Sequence, residues 1–275
     1  MKTEVELKNI VREKYAAIAK NPSKGGCCGE SDCGGVEYSF IGDDYNGKAG
    51  YVADADLGLG CGLPTEYARI KPGDTVVDLG SGAGNDCFIA REETGAGGRV
   101  IGIDFTQEMV DKARENASKL GFENIQFYLG EIDNNPLESN IADVVVSNCV
   151  FNLIPDRAKA FKETFRVIKP GGHFSISDVI VMGEIPPALR EQAELYAGCV
   201  SGAIEKSEYL HLIEQAGFEN IRIQKEKPIN IPDETLDQFL NSEQKKLWNK
   251  SQVGIFSMTF YAEKPAKDCC GPDCC

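Results

Sequence analysis

From residue 71 onwards, short apolar segments alternate with longer stretches of helical spacing, and this alternation restricts the chain to few folds. The first segment, Thr75–Leu79, is rich in β-branched residues and leads into a glycine loop at 80–84 and a helical stretch to about residue 93. The order repeats, with predicted strands at 99–103, 125–129, 143–147, 173–179, 219–225 and 256–262, and helices at 106–120, 156–168, within 183–216 and near 232–250. Strands that alternate with helices form βαβ units. We therefore predict an α/β fold with a mostly parallel sheet and helices on both faces.

Glycine and proline mark the ends of several predicted elements. The run Lys169-Pro170-Gly171-Gly172 predicts a turn before the strand 173–179. The sequence GFENI occurs at both 121–125 and 217–221. We interpret both copies as a glycine that ends a helix and leads into a strand, not as a duplicated domain.

The segments outside this alternation have a different composition. Residues 4–20 have the spacing of an amphipathic helix, and two thirds of the residues at 24–35 are glycine or cysteine, which is typical of a mobile, thiol-bearing loop. We divide the chain into an N-terminal helix and Cys/Gly-rich segment at 1–64, a cofactor-binding core at 65–182, a portion at 183–264 that completes the sheet, and a Cys-rich tail at 265–275. The tail is short and polar, so we expect it to be mobile.

The glycine loop predicts a binding site for a nucleotide-like ligand. Gly80, Gly82 and Gly84 follow a buried strand and precede a helix, so the backbone can approach a ligand and offer helix N-terminal amides. Asp104 ends the next strand, 20 residues after Gly84, where a doubly wound fold places an acid on a ribose hydroxyl. The alternative is that Asp104 only caps the helix that begins near Thr106.

Both NAD and S-adenosylmethionine use this geometry, and three features favour S-adenosylmethionine. Asp78 precedes the glycines and can face the cationic amino-acid end of that ligand. Asn85 and Asp86 follow the loop and suit an amino acid better than a pyrophosphate. Glu131 follows the third strand, where an acidic side chain can meet an adenine edge.

These motifs resemble those of the class I S-adenosylmethionine-dependent methyltransferases. DLGSGAG, GIDFTQEM and GEI carry the resemblance, which is strong over about residues 65–180. It implies a Rossmann-like sheet of seven strands whose last strand is antiparallel. The predicted cofactor site comprises Asp78, Gly80, Ser81, Gly82, Gly84, Asn85, Asp104, Phe105, Thr106, Met109, Glu131, Ile132 and Asn148. For Met109, a plain helix-core position is an equal alternative.

Composition excludes several classes of partner and of metal site. The chain carries 43 acidic and 29 basic side chains, a net charge of −14, which opposes nonspecific binding to nucleic acid or anionic membranes. No apolar run could span a membrane and the N-terminus has no secretory pattern, so we expect a cytoplasmic protein. With two histidines, a His-dominated metal site is excluded. A monomer is the default expectation.

Eleven cysteines are many for a chain without a secretory pattern, so buried core positions, soft-metal ligands or redox chemistry explain them better than disulfides. Cys149 lies at the carboxyl end of the fourth strand, in the expected ligand crevice. Cys61 lies between glycines, and Cys199 lies between small residues in a segment that should cover the crevice; small neighbours would admit a larger soft atom. The alternative for each is a small apolar core residue, and Cys87 is assigned to the core.

The cysteine motifs resemble those of the arsenite S-adenosylmethionine methyltransferases. LGLGCGLP, VSNCVFNLIPD, RVIKPGG followed by SISDV, and LYAGCVSGA carry the resemblance, from about residue 27 to 225. It implies that Cys61, Cys149 and Cys199 hold trivalent arsenic beneath a C-terminal α+β cover. It also implies that Cys27 or Cys28 forms a disulfide with Cys61 during the cycle. Leu59 stands where some relatives carry tyrosine.

The implied chemistry agrees with the thiols. Trivalent arsenic arrives as a thiol conjugate, and as a soft ion it prefers thiolate ligands. Three sulfur ligands leave the arsenic lone pair free to attack the methyl group on the sulfonium. This step needs no general base. The pentavalent product must be reduced, and Cys27 or Cys28 could supply electrons, leaving a disulfide for thioredoxin or glutathione. The implied role is arsenic detoxification.

The tail thiols Cys269, Cys270, Cys274 and Cys275 lack the spacing of a zinc finger. We predict that they capture arsenite or another soft metal; the alternative is a dispensable tail.

Three other functions compete with arsenite methylation. They are a methyltransferase for a small organic acceptor, a thiol-rich sensor without turnover, and a nicotinamide dehydrogenase. The last is disfavoured because no Tyr-x-x-x-Lys motif lies near the crevice.

Overall fold

A seven-stranded sheet forms the centre of the computed structural model, which describes residues 4–20, 45–183, 202–230, 233–250 and 254–266. The strands are β1 Thr75–Leu79, β2 Arg99–Asp104, β3 Ile125–Leu129, β4 Ala142–Asn148, β5 Ile168–Met182, β6 Glu219–Ile229 and β7 Gly254–Glu263. Their order is β3-β2-β1-β4-β5-β7-β6. The first five strands are parallel, and β7 is antiparallel to both of its neighbours, β5 and β6. The predicted Rossmann-like α/β fold with an antiparallel last strand is confirmed.

Eight α-helices surround this sheet within the described ranges. They are α1 Glu4–Lys20, α2 Pro64–Tyr67, α3 Asn85–Thr94, α4 Gln107–Lys119, α5 Arg157–Val167, α6 Lys206–Gln215, α7 Asp233–Phe239 and α8 Ser242–Lys250. A 3-10 turn spans Phe151–Leu153. None of the described helices is long and apolar enough to cross a membrane.

The alternation of side chains along each central strand divides the core between the two faces of the sheet. From β1, Val77 and Leu79 pack with Phe161 on the face that α5 and α6 cover. Val76 packs on the other face with Phe88, where α3 and α4 lie. Successive strand residues point to opposite faces, so a strand covered on both sides must be apolar throughout. This is why the β-branched run at 75–79 predicted a buried strand.

The structure differs from the prediction at the start of β5. The run 169–172 is not a separate turn, because β5 begins at Ile168. Its pairing with β4 passes from Ala142–Ile168 to Val144–His173, so the extra residues bulge out of the ladder. Gly171 takes a left-handed φ of 81° in this bulge. Hydrogen bonds between this run and Lys264, at 2.9 and 3.0 Å, keep the bulge within the sheet.

Other boundaries follow the predictions with small shifts. Glycine follows the helix in both copies of GFENI, with left-handed φ values of 68° at Gly121 and 99° at Gly217. The predicted insert near 232–250 consists of the two helices α7 and α8. Of the segment 183–216, predicted to be mostly helical, the described part contains α6, while 184–201 lie outside the described residues. The loop 24–35 and the tail beyond residue 266 also lie outside them.

Candidate active site

A cleft lies over the carboxyl ends of the parallel strands, where doubly wound sheets bind their ligands. Its lining includes the loop at 80–82 after β1, the end of β2 at Asp104, the turn at 130–133 after β3, and the segment at 148–150 after β4. Its empty volume is about 1090 Å³ with the open mouth included, which is ample for a nucleoside-sized ligand.

The backbone of the glycine loop is held against β2. The amides of Gly80 and Ser81 donate to the carbonyl of Ile103 at 2.8 and 2.9 Å. Gly80 has a left-handed φ of 78°, and a β-carbon there would overlap the side chain of Val150. Both features require glycine, because other residues rarely adopt this φ and no space exists for a side chain.

Asp104 joins the loop to the start of α4. Its carboxylate accepts hydrogen bonds from the backbone amides of Gly82, at 3.0 Å, and Thr106, at 2.9 Å. Burial raises its pKa, and these amides oppose that shift. Asp104 also lines the cleft. It therefore holds the backbone at Thr106, directly before α4, without capping a helical amide, and it lies where a ligand hydroxyl could reach it.

Two further carboxyls lie beneath the cleft. Asp78 is 2% exposed, and burial together with the neighbouring Asp86 raises its pKa well above the usual value. Burial raises the pKa of Asp86 to about 6, although hydrogen bonds from Asn148 and Tyr45 oppose the shift. The thiol of Cys87 donates to Asp78 at 3.3 Å, so this cysteine is a core residue that also contacts the site.

Cys61 and Cys149 lie in one buried apolar cluster beside the cleft. They are 0% and 3% exposed, and they pack in the cluster that contains Val179, Val181 and Ala203. Cys149 also lines the cleft. Its φ is 62°, unusual for a residue other than glycine, and its amide donates to the carbonyl of Ser177 at 2.7 Å. Two of the three predicted thiol ligands therefore lie in the same buried cluster, and one of them, Cys149, lines the cleft.

The Asn148 side chain connects the Cys61 segment to β4. Its Oδ1 accepts from the amides of Cys61 and Gly62 at 3.0 and 3.3 Å, and its Nδ2 donates to the carbonyl of Gly62 at 2.8 Å. Nδ2 also donates to Tyr45 and to Asp86. Because residue 148 directly precedes Cys149, one amide side chain places the backbone of one cysteine beside the other.

The glycines around Cys61 have a structural reason that differs from the expected one. A β-carbon at Gly60 would lie 2.7 Å from Asn148 Nδ2, and one at Gly62 would lie 2.7 Å from Ser177 Oγ. The glycines therefore allow the segment to approach the sheet. The sequence-based expectation, that they admit a larger atom to the sulfur, is not needed to explain them.

Comparison with known proteins identifies the family. Residues 70–217 match a family model described as a methyltransferase domain. The arsenite methyltransferase of Halobacterium salinarum is 39% identical over 96% of this chain and 68% of its own length. The arsenite methyltransferase of Aquipseudomonas alcaligenes is 36% identical over 66% of this chain, and the matched region covers 54% of that relative's own length. The crystal structure of an arsenic(III) S-adenosylmethionine methyltransferase from Chlamydomonas reinhardtii superposes with a TM-score of 0.64, at 33% identity, covering 75% of this chain and 68% of that one.

The chain belongs to the arsenite methyltransferase family. It is an S-adenosylmethionine-dependent methyltransferase, and its cleft fits that cofactor. Six acidic side chains line the cleft against one basic side chain, Lys8, which is paired with Glu131 and Asp133. An anionic site suits a ligand that carries a sulfonium and an ammonium, and it would repel a pyrophosphate. Among the described residues, the buried Ser81 Oγ in the loop has no hydrogen-bond partner, so it can serve a ligand.

The structure brings ten of the thirteen predicted cofactor residues of this methyltransferase to the cleft lining. They are Asp78, Gly80, Ser81, Gly82, Asn85, Asp104, Phe105, Glu131, Ile132 and Asn148. Three others do not line it. A β-carbon at Gly84 would meet the rings of Phe88 and Phe127, Met109 is fully buried as a helix-core residue, and Thr106 is fully buried at the start of α4.

Several lining residues of the methyltransferase were missed. Helix α1 contributes Lys8, Val11 and Tyr15, and Lys8 donates to Glu131 at 2.7 Å. Tyr45, which donates to Asp86 at 3.0 Å, precedes every motif of the sequence. The amphipathic spacing of 4–20 predicted a helix, but it contained no signal for where that helix docks. Asp86 was noted beside Asn85 but was not included in the predicted site.

The remaining predicted thiols lie outside the described residues: Cys199 of the triad, Cys27 and Cys28 of the proposed redox step, and Cys269, Cys270, Cys274 and Cys275 of the tail. Within the described ranges, no group of three His, Cys, Asp or Glu side chains forms a metal site. The predicted triad has two of its members in these ranges, Cys61 and Cys149.

Proposed function

We propose that this methyltransferase transfers a methyl group from S-adenosylmethionine to trivalent arsenic held by the thiolates of Cys61, Cys149 and Cys199. The observation that carries the proposal is the burial of Cys61 and Cys149 in one apolar cluster beside a cleft lined by the cofactor loop. The relatives that this chain resembles over 96% and 66% of its length are named arsenite methyltransferases.

The donor set suits trivalent arsenic. Thiolates are soft ligands, and arsenic(III) exchanges its hydroxide or thiol ligands for them. Each exchange forms one arsenic–sulfur bond to the protein and releases one water or free thiol, which takes up the cysteine proton. Three sulfurs complete a pyramid and leave the arsenic lone pair directed away from them. An apolar cluster around the thiols keeps water from competing for arsenic.

The third thiolate is supported by chain connectivity. Gly202 follows Cys199 by three residues, and it lies beside Asn152, which follows Cys149 by three residues. Three residues of chain span at most about 10 Å. Connectivity therefore permits Cys199 to reach the crevice that contains Cys149.

The protein orients the reacting atoms and performs no proton transfer on them. Bound S-adenosylmethionine supplies an electrophilic methyl group. The arsenic lone pair forms the new bond to carbon as the carbon–sulfonium bond breaks, and S-adenosylhomocysteine leaves with that electron pair. No proton leaves the nucleophile, so a general base is unnecessary. Asn148 positions the cysteine backbone, and the glycine loop positions the methyl donor. The rate enhancement comes from this orientation of the two reacting molecules.

We further propose that cysteines recycle the product. Methyl transfer converts arsenic(III) to formal arsenic(V), and two thiols return it to arsenic(III) by forming a disulfide. Cys27 or Cys28 with Cys61 supplies these two electrons, and thioredoxin or glutathione then reduces the disulfide.

The tail thiols, from Cys269 to Cys275, capture arsenite from dilute solution. Loss of this tail should raise the arsenite concentration needed for half-maximal rate without changing the maximal rate.

One experiment tests the transfer itself. The full chain is incubated with arsenite, S-adenosylmethionine and a thiol reductant, and arsenic species are separated by chromatography with elemental detection. We expect methylated arsenic from the wild type and none above background from Cys149→Ser or Cys199→Ser, while S-adenosylmethionine affinity stays within a few-fold of wild type. Cofactor binding without methylated arsenic from the wild type contradicts the proposal and favours a small organic acceptor.

A further inference from the structure

The hydroxyl of Tyr45 lies between the two ends of the cleft. Tyr45 is 6% exposed and lines the cleft. Its hydroxyl oxygen is 3.0 Å from Oδ2 of Asp86 and 3.2 Å from the carbonyl oxygen of Gly62. Asp86 lies at the cofactor end, and Gly62 directly follows Cys61 in the chain. One hydroxyl therefore reaches both ends of the cleft, and the methyl transfer described above gives it no part.

The ring of Tyr45 is fixed, but its hydroxyl hydrogen is not. The ring packs in a buried cluster with Leu63 and Ile89. It also stacks on the ring of Tyr51, with the centroids 6.4 Å apart and the planes 16° from parallel. A hydroxyl hydrogen rotates to suit its acceptor. This side chain can therefore change its hydrogen-bond partner without moving its ring.

Asn148 shares the same acceptors. Its Nδ2 has two hydrogens, and it lies within hydrogen-bonding distance of the Tyr45 hydroxyl, the Gly62 carbonyl and the Asp86 carboxylate. Together with the tyrosine hydrogen, three hydrogens serve these groups, and an ionised carboxylate alone has about four acceptor positions. Hydrogen bonds to an ionised group are about twice as strong as those between neutral groups. The carboxylate of Asp86 therefore takes the tyrosine hydrogen in preference to the Gly62 carbonyl.

A ligand ammonium changes this competition. An ammonium bound at Asp86 brings hydrogens of its own, so the carboxylate no longer needs the one from tyrosine. That hydrogen is then available to the Gly62 carbonyl. The new bond adds a contact to the backbone beside Cys61, whose amide donates to Asn148 and whose carbonyl accepts from Ser257. A cation at the cofactor end thus leads to a more firmly held cysteine segment.

We propose that Tyr45 couples the two ends of the cleft, so that the ammonium of the cofactor, bound at Asp86, tightens the binding of arsenite at Cys61. The coupling rests on the proposed function, because it assumes that Cys61 binds arsenic. Tyr45 acts on arsenic through the Gly62 backbone and is a positioning residue. Coupling between two binding sites is reciprocal, so arsenite tightens cofactor binding by the same factor, and such factors are typically about 5- to 150-fold.

The first test measures arsenite affinity with and without S-adenosylhomocysteine. This ligand carries the same ammonium and has no methyl group to transfer, so no turnover occurs. Arsenite binding to the full chain is measured by equilibrium dialysis with arsenic detection, and binding by Cys149→Ser is subtracted to remove the contribution of other thiols. We expect the ligand to tighten arsenite binding by at least about fivefold in the wild type and by less than about twofold in Tyr45→Phe. An equal change in the two proteins, or no tightening in the wild type, overturns the coupling.

The matched control is Tyr261→Phe. Tyr261 also donates to a carboxylate, that of Glu263 at 2.7 Å, but it lies outside the cleft lining. We expect this variant to keep the wild-type ratio of arsenite affinities. The ratio is the readout because a merely structural loss lowers the arsenite affinity equally with and without the ligand. A ratio lost in both variants contradicts the specific role of Tyr45.

A second ligand tests the coupling in the wild type, so that no variant has to fold. 5′-Methylthioadenosine keeps the adenosine and the sulfur of the cofactor and lacks the ammonium. We expect it to bind in the cleft and to change arsenite affinity by less than about twofold. Tightening as strong as that by S-adenosylhomocysteine shows that the ammonium is not the signal and overturns the coupling.

A third measurement separates the coupling from the proposed function. Alkylation of Cys61 by iodoacetamide is followed by mass spectrometry of its peptide; Cys61 is buried and does not line the cleft, so the ligand does not cover it directly. S-adenosylhomocysteine should slow this alkylation by at least about fivefold in the wild type and by less than about twofold in Tyr45→Phe. Equal slowing in both proteins overturns the coupling, whatever the acceptor is. Slowing that depends on Tyr45, in a wild type that binds no arsenite, upholds the coupling and overturns the proposed function.

Discussion

The cleft has two halves that are constructed in different ways. In the cofactor half, the loop after β1 contacts the end of β2 through backbone amides, and Gly82 and its partner Asp104 are 22 positions apart. In the acceptor half, side chains connect distant segments. Asn148 holds Cys61 across 87 positions, and Ser257 donates to the carbonyl of Cys61 across 196.

This difference in construction explains why the motif of the cofactor half is shared by many methyltransferases, whereas the cysteine motifs of the acceptor half are particular to one family. Backbone amides and glycine conformations bind the constant part of a ligand, and they need only a short motif. A soft acceptor needs side chains brought together from several elements. Changes to the first half should therefore weaken cofactor binding, whereas changes to the second should weaken arsenite binding more than cofactor binding.

The largest effect is expected where the cofactor half has no space. Gly80→Ala places a β-carbon in Val150 at a left-handed φ of 78°, so the loop must move. We expect S-adenosylmethionine binding to weaken by about 100-fold, a cost of about 2.7 kcal/mol. Calorimetry measures it. The control, Gly73→Ala, has a φ of 91° with open space around the new carbon, so it should lose stability and keep its affinity. Equal affinities in the two variants would show that strain at Gly80 does not matter for the cofactor.

A smaller effect, larger on arsenite binding than on cofactor binding, is expected for Asn148→Asp. The change removes the donors to Gly62 and Tyr45 and brings a second carboxyl to the position 3.2 Å from Asp86. We expect arsenite affinity to fall by at least about tenfold, and more than the affinity for the cofactor falls.

The matched control for Asn148 is Asn124→Asp. Asn124 also bridges two backbone carbonyls, those of Gly95 and Gly98, each at 3.0 Å, but it lies outside the cleft lining. This variant should lose stability and keep both affinities. If Asn148→Asp lowers the cofactor affinity more than the arsenite affinity, the division into two halves fails at this residue.

A moderate effect of pH is expected in the cofactor half. Burial raises the pKa of Asp86 to about 6, and Asp78 and Asp104 are shifted in the same direction. A cationic ligand favours the ionised carboxylates, so S-adenosylmethionine affinity should fall as the pH drops through about 6 and rise as it increases. Calorimetry from about pH 5 to about pH 8 tests this. Asp86→Asn should flatten the profile relative to Asp74→Asn, a change in an exposed turn, and identical profiles would exclude Asp86 as the titrating group.

The smallest effect is expected from helix α1. Lys8 pairs with Glu131 and Asp133, and its side chain is 20% exposed, so solvent weakens both pairs. Lys8→Ala should weaken S-adenosylmethionine binding by about threefold, because α1 then holds the cleft less firmly. Lys14→Ala, on the same helix and away from the cleft lining, is the control. A stronger cofactor affinity in Lys8→Ala would show that Lys8 competes with the ligand for Glu131.

The sequence was most informative where neighbours in the chain act together. The loop from Gly80 to Gly82 and the acid Asp104 lie at the cleft as predicted, because a strand, a glycine turn and a helix define their own geometry. The resemblance also placed Gly84 and Met109 at the ligand, with a helix-core position as an equal alternative for Met109. Met109 is buried in α4, and a β-carbon at Gly84 would meet the rings of Phe88 and Phe127. A motif specifies a sequence position, whereas the direction of a side chain depends on the packing of the whole helix.

The acceptor half was predicted only in part. The resemblance to the family brought Cys61 and Cys149 together, and the structure places them in one cluster. It contained no indication of Asn148 as the residue that joins them, of Tyr45, or of Lys8. Nor did it show that the residues 169–172, a typical turn, remain in a strand because Lys264, directly after β7, supplies their hydrogen-bond partners.

By itself, then, the sequence determined the order of strands and helices, the conformations of the glycine loop and the types of side chain available to bind a methyl donor. These depend on backbone hydrogen bonding and sterics among nearby residues. Only the tertiary structure decided which side of α1 closes the cleft, how Asn148 holds Cys61 beside Cys149, and how Tyr45 reaches both Asp86 and Gly62. Those contacts join residues far apart in the chain, and their geometry is set only when the sheet has assembled and buried them together.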